Sequence, residues 1–493
     1  MKLPELENIK KVHIIAVGGT LMGAFASYLK RRGIEVTGSD VGVYPPMSDV
    51  LSAAGVELMN GYRPENLTAM KKKPDLVVIG NVIRADNPEA KAAIDGGYAY
   101  TSLPEAMEKL LLPPSRNLVV AGTHGKTTTS SILAHVLVQA KTDPSYFIGG
   151  VSQDLPHSFH VGNAGKGGYF VLEGDEYDTA FWDKVPKFNH YLPDDVILTS
   201  VEYDHADIYP DMASVIRAFD GLVTRVRKGG RFIACSDYDD VMKVVKNASV
   251  PVITYSTQPK KTADYHVGAS RVKNGVTYFE VLKGGKKIEE IAIQLSGLHN
   301  MANALSVWIE CRELGISSAL TLKGLKSFHG VKRRQEVRGE ERGVMIIDDF
   351  AHHPTAVRET LRALKLRYPG KRMVAIFEPR SATSRRKVFQ QDYVEAFREA
   401  DATFISAPYD QSRIAAHDQF SSQQLVEDLV KCGRSAHLMA SVEQGVVDVS
   451  SFSRNGDLVA VLSNGGFGGF IPKLLEALKT PQALASTEIS SHR

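Results

Sequence analysis

The sequence is short of several things, and each shortage excludes something. Its 493 residues hold three cysteines, Cys235, Cys311 and Cys432. They lie far apart and match no zinc or redox spacing, which argues against a disulfide framework and for free thiols in a reducing compartment. No apolar run reaches the roughly 20 residues that cross a bilayer. Met1 to Lys11 alternates charged and apolar residues without a signal-peptide core, so a soluble, cytoplasmic protein is expected, away from any membrane. An excess of one charge is also missing: 59 basic against 56 acidic residues leave +3. A nucleic-acid partner, which would call for a concentrated basic face, is not expected. Anionic small molecules need only a few local cations and stay in play. Internal repeats and low-complexity segments are lacking too.

What remains is ordinary globular composition, 43% hydrophobic and 23% charged, in a chain long enough for two to four domains. In a first region, 1–113, strand candidates at Lys11–Val17, Glu35–Thr37 (running on toward Asp40) and Asp75–Ile79 alternate with helical stretches. That alternation predicts a parallel, Rossmann-like sheet. Pro113-Pro114-Ser115 marks a boundary. In a second region, 114–330, strands are expected at Asn117–Ala121, Tyr169–Leu172, Val196–Val201, Arg231–Cys235 and Pro251–Tyr255. Between His266 and Leu295 the pattern turns to β-hairpins, with Asn274-Gly275 and Gly284-Gly285 as turn pairs. A helix at Asn300–Leu314 closes the region. In the third, 331–493, Val344–Asp348, Met373–Phe377, Ala402–Ser406 and Leu458–Leu462 read as buried parallel strands, and the polar tail from Thr480 as frayed. The expected fold is α/β in three domains: a Rossmann-like N-terminal domain, a P-loop central domain with added hairpins, and a Rossmann-like C-terminal domain.

The strongest motif is a strand running into Gly122-Thr123-His124-Gly125-Lys126-Thr127-Thr128 and then a helix. Such a loop aims backbone N–H groups and a helix N-terminus at phosphates. Lys126 would neutralise the β/γ-phosphates of ATP, and the Thr127 hydroxyl would hold Mg²⁺. The full phosphate-loop pattern needs glycine at position 120, where Val120 stands. Two acidic segments follow strands: Glu173-Gly174-Asp175-Glu176-Tyr177-Asp178 and Glu202-Tyr203-Asp204-His205-Ala206-Asp207. Taken alone, the first also reads as a solvated acidic loop and His205 as an ordinary surface or core histidine. Asp348-Asp349-Phe350-Ala351-His352-His353-Pro354, again after a strand, gathers two acids and two histidines in the manner of a site. A second nucleotide loop, Gly18-Gly19-Thr20-Leu21-Met22-Gly23, lacks the G-x-G-x-x-G spacing of dinucleotide binders. Asp40 and Asn81 end neighbouring strands at its mouth, where an acid commonly meets a ribose.

The shortened loop Gly-Thr-His-Gly-Lys-Thr-Thr resembles that of the Mur ligase superfamily, and the resemblance extends from about Lys11 to Gly469. It implies an ATP- and Mg²⁺-dependent enzyme that forms an amide bond on a UDP-linked muramic acid. It implies metal ligands at Thr127, Glu173 and His205, and a nucleotide site formed by the loop with His299, Asn300 and Asn303 near the adenine and Asp349 at the ribose. An arginine at the Lys332-Arg333-Arg334 junction, Arg334 in preference to Arg333, would reach the transferring phosphate. His352 would orient the incoming amine. Gly18, Gly19, Thr20, Met22, Asp40 and Asn81 would hold the UDP-sugar. The modified lysine used by some branches has no counterpart in Ser214–Val223, where Phe219 stands near its place; this matches the branch that takes free UDP-N-acetylmuramate.

Two members share that acceptor, one adding L-alanine and one adding a murein tripeptide. Asp175–Lys184, with Tyr177 where the alanine branch has serine, resembles the tripeptide branch, as do Phe377-Glu378-Pro379-Arg380-Ser381 and Tyr44-Pro45-Pro46-Met47-Ser48. Arg380, Ser381 and Arg385 are then expected at the peptide, whose extra carboxylates arginines can pair with. Two other classes compete: a P-loop ATPase switch that moves a partner, and a UDP-sugar sensor without catalysis. The second nucleotide loop disfavours the first, and the intact Lys126, Thr127, Glu173 and His205 disfavour the second. A folylpolyglutamate-type ligase is disfavoured by the extra N-terminal domain.

Overall fold

A computed structural model describes residues 3–68, 73–112, 115–162 and 168–479. The Pro113-Pro114 part of the expected boundary and the tail from Thr480 lie outside the described residues. The chain divides into two compact units at Lys332/Arg333.

The first unit holds two large sheets. One has five parallel strands in the order Glu57–Asn60, Glu35–Asp40, Lys11–Ile15, Leu76–Ile79, Tyr100–Ser102. The order reverses beside Lys11–Ile15, and a crevice opens at such a switch point beyond the strands' carboxyl ends. Gly18 and Asp40 stand there. The other sheet has ten strands. Its parallel centre runs Val252–Ser256, Arg231–Cys235, Asp195–Leu198, Arg116–Ala121, Tyr169–Gly174, Ser145–Phe147. Strands Tyr265–Lys273, Val276–Lys283 and Lys286–Ile293 extend one side as antiparallel hairpins. Their turns carry the positive φ that Asn-Gly and Gly-Gly supply: Asn274 +52°, Gly275 +76°, Gly284 +55°, Gly285 +75°.

One core runs through both sheets, from Ile9 and Val12 to Val244 and Val245. Its seam is aromatic. Phe159, from the short strand Phe159–His160, meets Tyr28 of the helix Thr20–Arg31 at 4.4 Å between centroids, and Phe147 at 5.0 Å. A small hairpin, Asp178–Ala180 with Asp183–Pro186, bears Phe181 and Trp182, and Trp182 meets Tyr100 edge-on at 5.3 Å.

The second unit is a six-stranded sheet in the order Glu336–Glu341, Val344–Asp349, Leu458–Leu462, Met373–Phe377, Ala402–Ser406, Ser435–Met439, parallel except for the first strand. Three of its four inner strands, Leu458–Leu462, Met373–Phe377 and Ala402–Ser406, are buried throughout, as expected of parallel strands covered on both faces.

Candidate active site

In the first unit the phosphate loop joins the strand Arg116–Ala121 to the helix Lys126–Gln139. Val120 is fully buried inside that strand, so the loop begins later than in the longer pattern, at Gly122. Gly122 has φ +132°, and a Cβ there would lie 2.3 Å from Thr199 Oγ1. Thr123 and His124 are tied to the exit of the neighbouring strand. The Thr123 amide donates to Ser200 O at 3.0 Å, the His124 amide to Ser200 Oγ at 2.8 Å, and Thr123 Oγ1 to Glu202 O at 3.1 Å. Gly125, at φ +81°, caps the helix. No acid stands in the helix's first turn and no side chain caps it, which suits an N-terminus facing phosphates.

Lys126, Thr127, Glu173 and His205, expected together from sequence, converge. Thr127 Oγ1 donates to Glu173 Oε1 at 2.8 Å, and the Gly149 amide donates to Glu173 Oε2 at 2.6 Å. Burial raises the Glu173 pKa against the pull of these bonds and of Lys126. The adjacent hydroxyl and carboxylate are hard oxygen donors of the kind Mg²⁺ takes, so the residues fit that ion.

His205 sits at φ +56°, its amide donating to Asp204 Oδ1 at 2.7 Å. Burial works against its imidazolium, but Asp204 and Glu176 outweigh it and push the pKa up to about 9. Its Nε2 is 2.9 Å from Glu176 Oε1, and the Tyr177 ring packs on it at 4.0 Å. Sequence reasoning assigned no role to Glu176, which also pairs with Lys126 at 2.8 Å. Burial would lower the Lys126 ammonium; Glu176, Asp175 and Glu173 raise it. Asp175 is held down to about 2, against its burial, by Lys187 and Lys126. The run of acids was visible in the sequence, but which of them faces Lys126 is decided by the turn after the strand.

His299 opens the helix Leu298–Glu313 and is half-buried. Asn300 and Asn303 are buried. Asn300 Nδ2 donates to Ser296 O at 2.8 Å and Asn303 Nδ2 to Asn300 Oδ1 at 3.3 Å. Asn303 Oδ1 faces Gly125, so this pair braces the phosphate loop.

At the first sheet's switch point, Asp40 Oδ2 accepts the Gly18 amide at 2.8 Å and Oδ1 the Val41 amide at 2.7 Å. Gly19 is the N-cap of Thr20–Arg31, with no side-chain bond to the first turn. Met22 is buried, and Asn81 is half-buried just beyond the strand Leu76–Ile79.

In the second unit Arg333, at φ +61°, donates through Nη2 to Ser463 O at 2.6 Å and Gly465 O at 2.8 Å. Arg334 lies over the Phe350 ring at 5.0 Å. Asp349 is buried; it accepts the Gln335 and Ala351 amides, each at 2.8 Å, and the Thr360 hydroxyl at 3.3 Å. Burial raises its pKa, and Arg334 opposes that rise. His352 Nδ1 lies 3.0 Å from Phe350 O. A carbonyl can only accept, so Nδ1 carries the proton in this contact.

Arg380 stacks on Tyr409 at 3.8 Å, with Nη1 3.4 Å from Glu378 Oε1. Its flank passes so close to Gly465 that a Cβ there would lie 2.1 Å from Arg380 Nε. Ser381 Oγ donates to Ser384 Oγ at 2.9 Å. Arg385 donates to the carbonyls of Ser381 (3.3 Å), Tyr409 (3.4 Å) and Asp410, fastening a loop. Tyr409 was not expected; a lone tyrosine after a strand gives no sequence signal.

Comparison with known proteins accords with this geometry. Three domain models match the chain: "Mur ligase family, catalytic domain" over residues 11–113, "Mur ligase middle domain" over 120–310, and "Mur ligase, glutamate ligase domain" over 333–465. The chain is 37% identical over 469 residues to the UDP-N-acetylmuramate–L-alanyl-gamma-D-glutamyl-meso-2,6-diaminoheptandioate ligase of Escherichia coli (strain K12), covering 95% of this chain and 98% of that one. It is 31% identical over 475 residues to the UDP-N-acetylmuramate–L-alanine ligase of Clostridium tetani, covering 94% and 98%. A crystal structure of a murein peptide ligase from Psychrobacter arcticus superposes with a TM-score of 0.73 at 31% identity, over 96% of this chain and all of that one. With the family models in domain order and relatives matched over nearly their whole length, the chain belongs to the Mur ligase family and is an ATP-dependent ligase that forms amide bonds.

Proposed function

We propose that this enzyme is a cytoplasmic ligase that joins the tripeptide L-alanyl-γ-D-glutamyl-meso-diaminopimelate to UDP-N-acetylmuramate, in peptidoglycan recycling. The observation that carries the reading is the convergence of Lys126, Thr127, Glu173 and His205 at the strand ends around one glycine loop. The 37% identity to a relative named for that reaction supports it. So does Arg380, a planar cation held ready for a carboxylate by Tyr409.

The chemistry follows from the substrates. A carboxylate is a poor acyl donor, so the muramate carboxylate attacks the γ-phosphate of ATP, giving an acyl phosphate and ADP. The free amine of the peptide then attacks the acyl carbon, and phosphate leaves. Thr127, Glu173 and His205 would hold Mg²⁺, which would supply charge neutralisation at the phosphates. Lys126 and Arg334 stabilise the charge spread over the transferring phosphoryl group. His299, Asn300 and Asn303 serve the adenine end, and Asp349 the ribose. Gly18, Gly19, Thr20, Met22, Asp40 and Asn81 hold the UDP-sugar. Arg380, Ser381 and Arg385 lie on the peptide side, Arg385 by ordering the loop that carries Tyr409. His352 orients the incoming amine.

A second reading, ligation of L-alanine to the same acceptor, is favoured by the 31% identity to the Clostridium tetani enzyme. Phosphate release with ATP, Mg²⁺ and UDP-N-acetylmuramate, comparing L-alanine with the tripeptide, separates the two. Turnover with the tripeptide alone is expected. Preference for L-alanine overturns the tripeptide reading, and release with neither overturns the choice of acceptor.

A further inference from the structure

Glu176 takes no part in the chemistry proposed above, yet it occupies the charge of the loop lysine. Lys126 Nζ donates to Gly122 O at 2.6 Å, Thr123 O at 3.2 Å and Glu176 Oε1 at 3.0 Å. An ammonium has three protons, and these three acceptors use all of them. Glu176 is only 2% exposed. It is anchored on both sides: its Oε1 faces His205 Nε2 at 2.9 Å, and its carbonyl accepts the Tyr209 hydroxyl at 2.6 Å. Glu173, buried, and Asp175, half-buried and paired with Lys187, add negative charge around the same lysine.

An incoming phosphate must take Lys126 from this partner. If it arrives bare, it takes Lys126 from Glu176, leaves that carboxylate to His205 alone, and brings further negative charge beside Glu173 and Asp175 in a site with little access to water, where like charges repel strongly. If it arrives chelated to a divalent cation, it brings positive charge for the displaced carboxylate. We propose that Glu176 is an internal counter-anion that holds a phosphate's place on Lys126 and so selects metal-chelated nucleotide over free nucleotide and free pyrophosphate. The inference rests on the nucleotide-site reading of the loop, and adds to it a positioning and specificity residue.

The test is equilibrium binding of ADP and of inorganic pyrophosphate to the full-length protein, in EDTA and in MgCl₂. Wild type should bind Mg²⁺-ADP and lose about tenfold or more of that affinity in EDTA. Glu176→Gln should gain about tenfold in EDTA for both ligands and change little in MgCl₂, so that the metal dependence shrinks by that factor. Wild type that binds Mg²⁺-ADP beside a Gln variant with no gain in EDTA overturns the inference. Wild type that binds nucleotide in neither condition overturns the nucleotide site itself.

A second measurement does not depend on the single variant folding. Lys126→Gln, Glu176→Gln and the double variant form a cycle in urea unfolding. The double variant should recover much of the midpoint that each single change loses. Strict additivity would show that the pair does not form in solution and would also overturn the inference.

Discussion

The α-carbon of Gly125 lies against the carboxamide of Asn303, so close that a methyl group on it would stand 2.8 Å from Oδ1. Two demands therefore meet at one residue, the positive φ of +81° and the missing Cβ. Gly125→Ala should lower stability by about 1–2 kcal/mol through the left-handed backbone and push Asn303 off the loop. ATP-dependent phosphate release should fall by about 100-fold in kcat/KM, measured against ATP. A variant with wild-type kcat/KM would show that the loop tolerates this displacement.

Arg380 and Tyr409 carry a prediction about the peptide. A stacked arginine is worth about 0.5–2 kcal/mol, so Tyr409→Ala should raise the KM for tripeptide about three- to tenfold while the KM for ATP stays put. Tyr409→Phe should restore the peptide KM, because the ring face and not the hydroxyl holds the guanidinium. Arg380→Lys should not, since an ammonium lacks the plane that stacks. Equal movement of both KM values would reduce Tyr409 to a structural residue.

A third prediction concerns acid stability. Asp457 accepts Arg372 Nε at 2.9 Å and Nη2 at 2.5 Å, and the Arg454 amide at 2.7 Å. Burial opposes its ionisation, but Arg372 and Arg454 prevail and its pKa falls below the ordinary carboxylate value. A depressed pKa contributes stability above the unfolded value, near about 3.9, and loses it as pH drops through the folded value. Wild type should therefore unfold at higher urea than Asp457→Asn at neutral pH, and the gap should close in strong acid. A gap that is constant with pH would exclude the charge as its source.

The thiols give a fourth. Cys235 and Cys311 are buried and Cys432 is exposed. Burial pushes Cys235 up to about 12 and raises Cys311 as well, which keeps both protonated and unreactive. Iodoacetamide near neutral pH should label Cys432 alone in the native protein and all three thiols in guanidinium, read by mass spectrometry. Native labelling of Cys235 would mean that the central sheet opens.

Much of this architecture was legible along the chain. Met373–Phe377, Ala402–Ser406 and Leu458–Leu462 coincide with their expected bounds, because strands buried on both faces are unbroken apolar runs. Edge strands were not legible. Glu57–Asn60 and Ser435–Met439 are largely exposed, and Glu336–Glu341 is a charged strand; such segments pair through backbone groups that leave no apolar pattern. The hairpin Asp178–Pro186, which starts where the acidic run Glu173–Asp178 ends, was likewise not read as one. At the site, Lys126, Thr127, Glu173 and His205 could be singled out because each lies at or beyond the end of a strand of one sheet. The part played by Glu176 could not, since it depends on where a turn aims one carboxylate among several. Asn303 was expected at adenine; its contact with Gly125 joins residues 178 positions apart and has no local signature.

That separation has a consequence for how the protein comes into being. Gly122 closes against Thr199 and Ser200, and Gly125 against Asn303. A growing chain that has delivered the glycine loop therefore lacks both of its walls until much later residues emerge. Contacts so distant in sequence form slowly, and a fragment that ends before Asn303 holds the whole phosphate motif without the means to shape it. With the loop read as the proposed phosphate site, its competence is expected to arrive late in synthesis, with the helix Leu298–Glu313 and not with the motif itself.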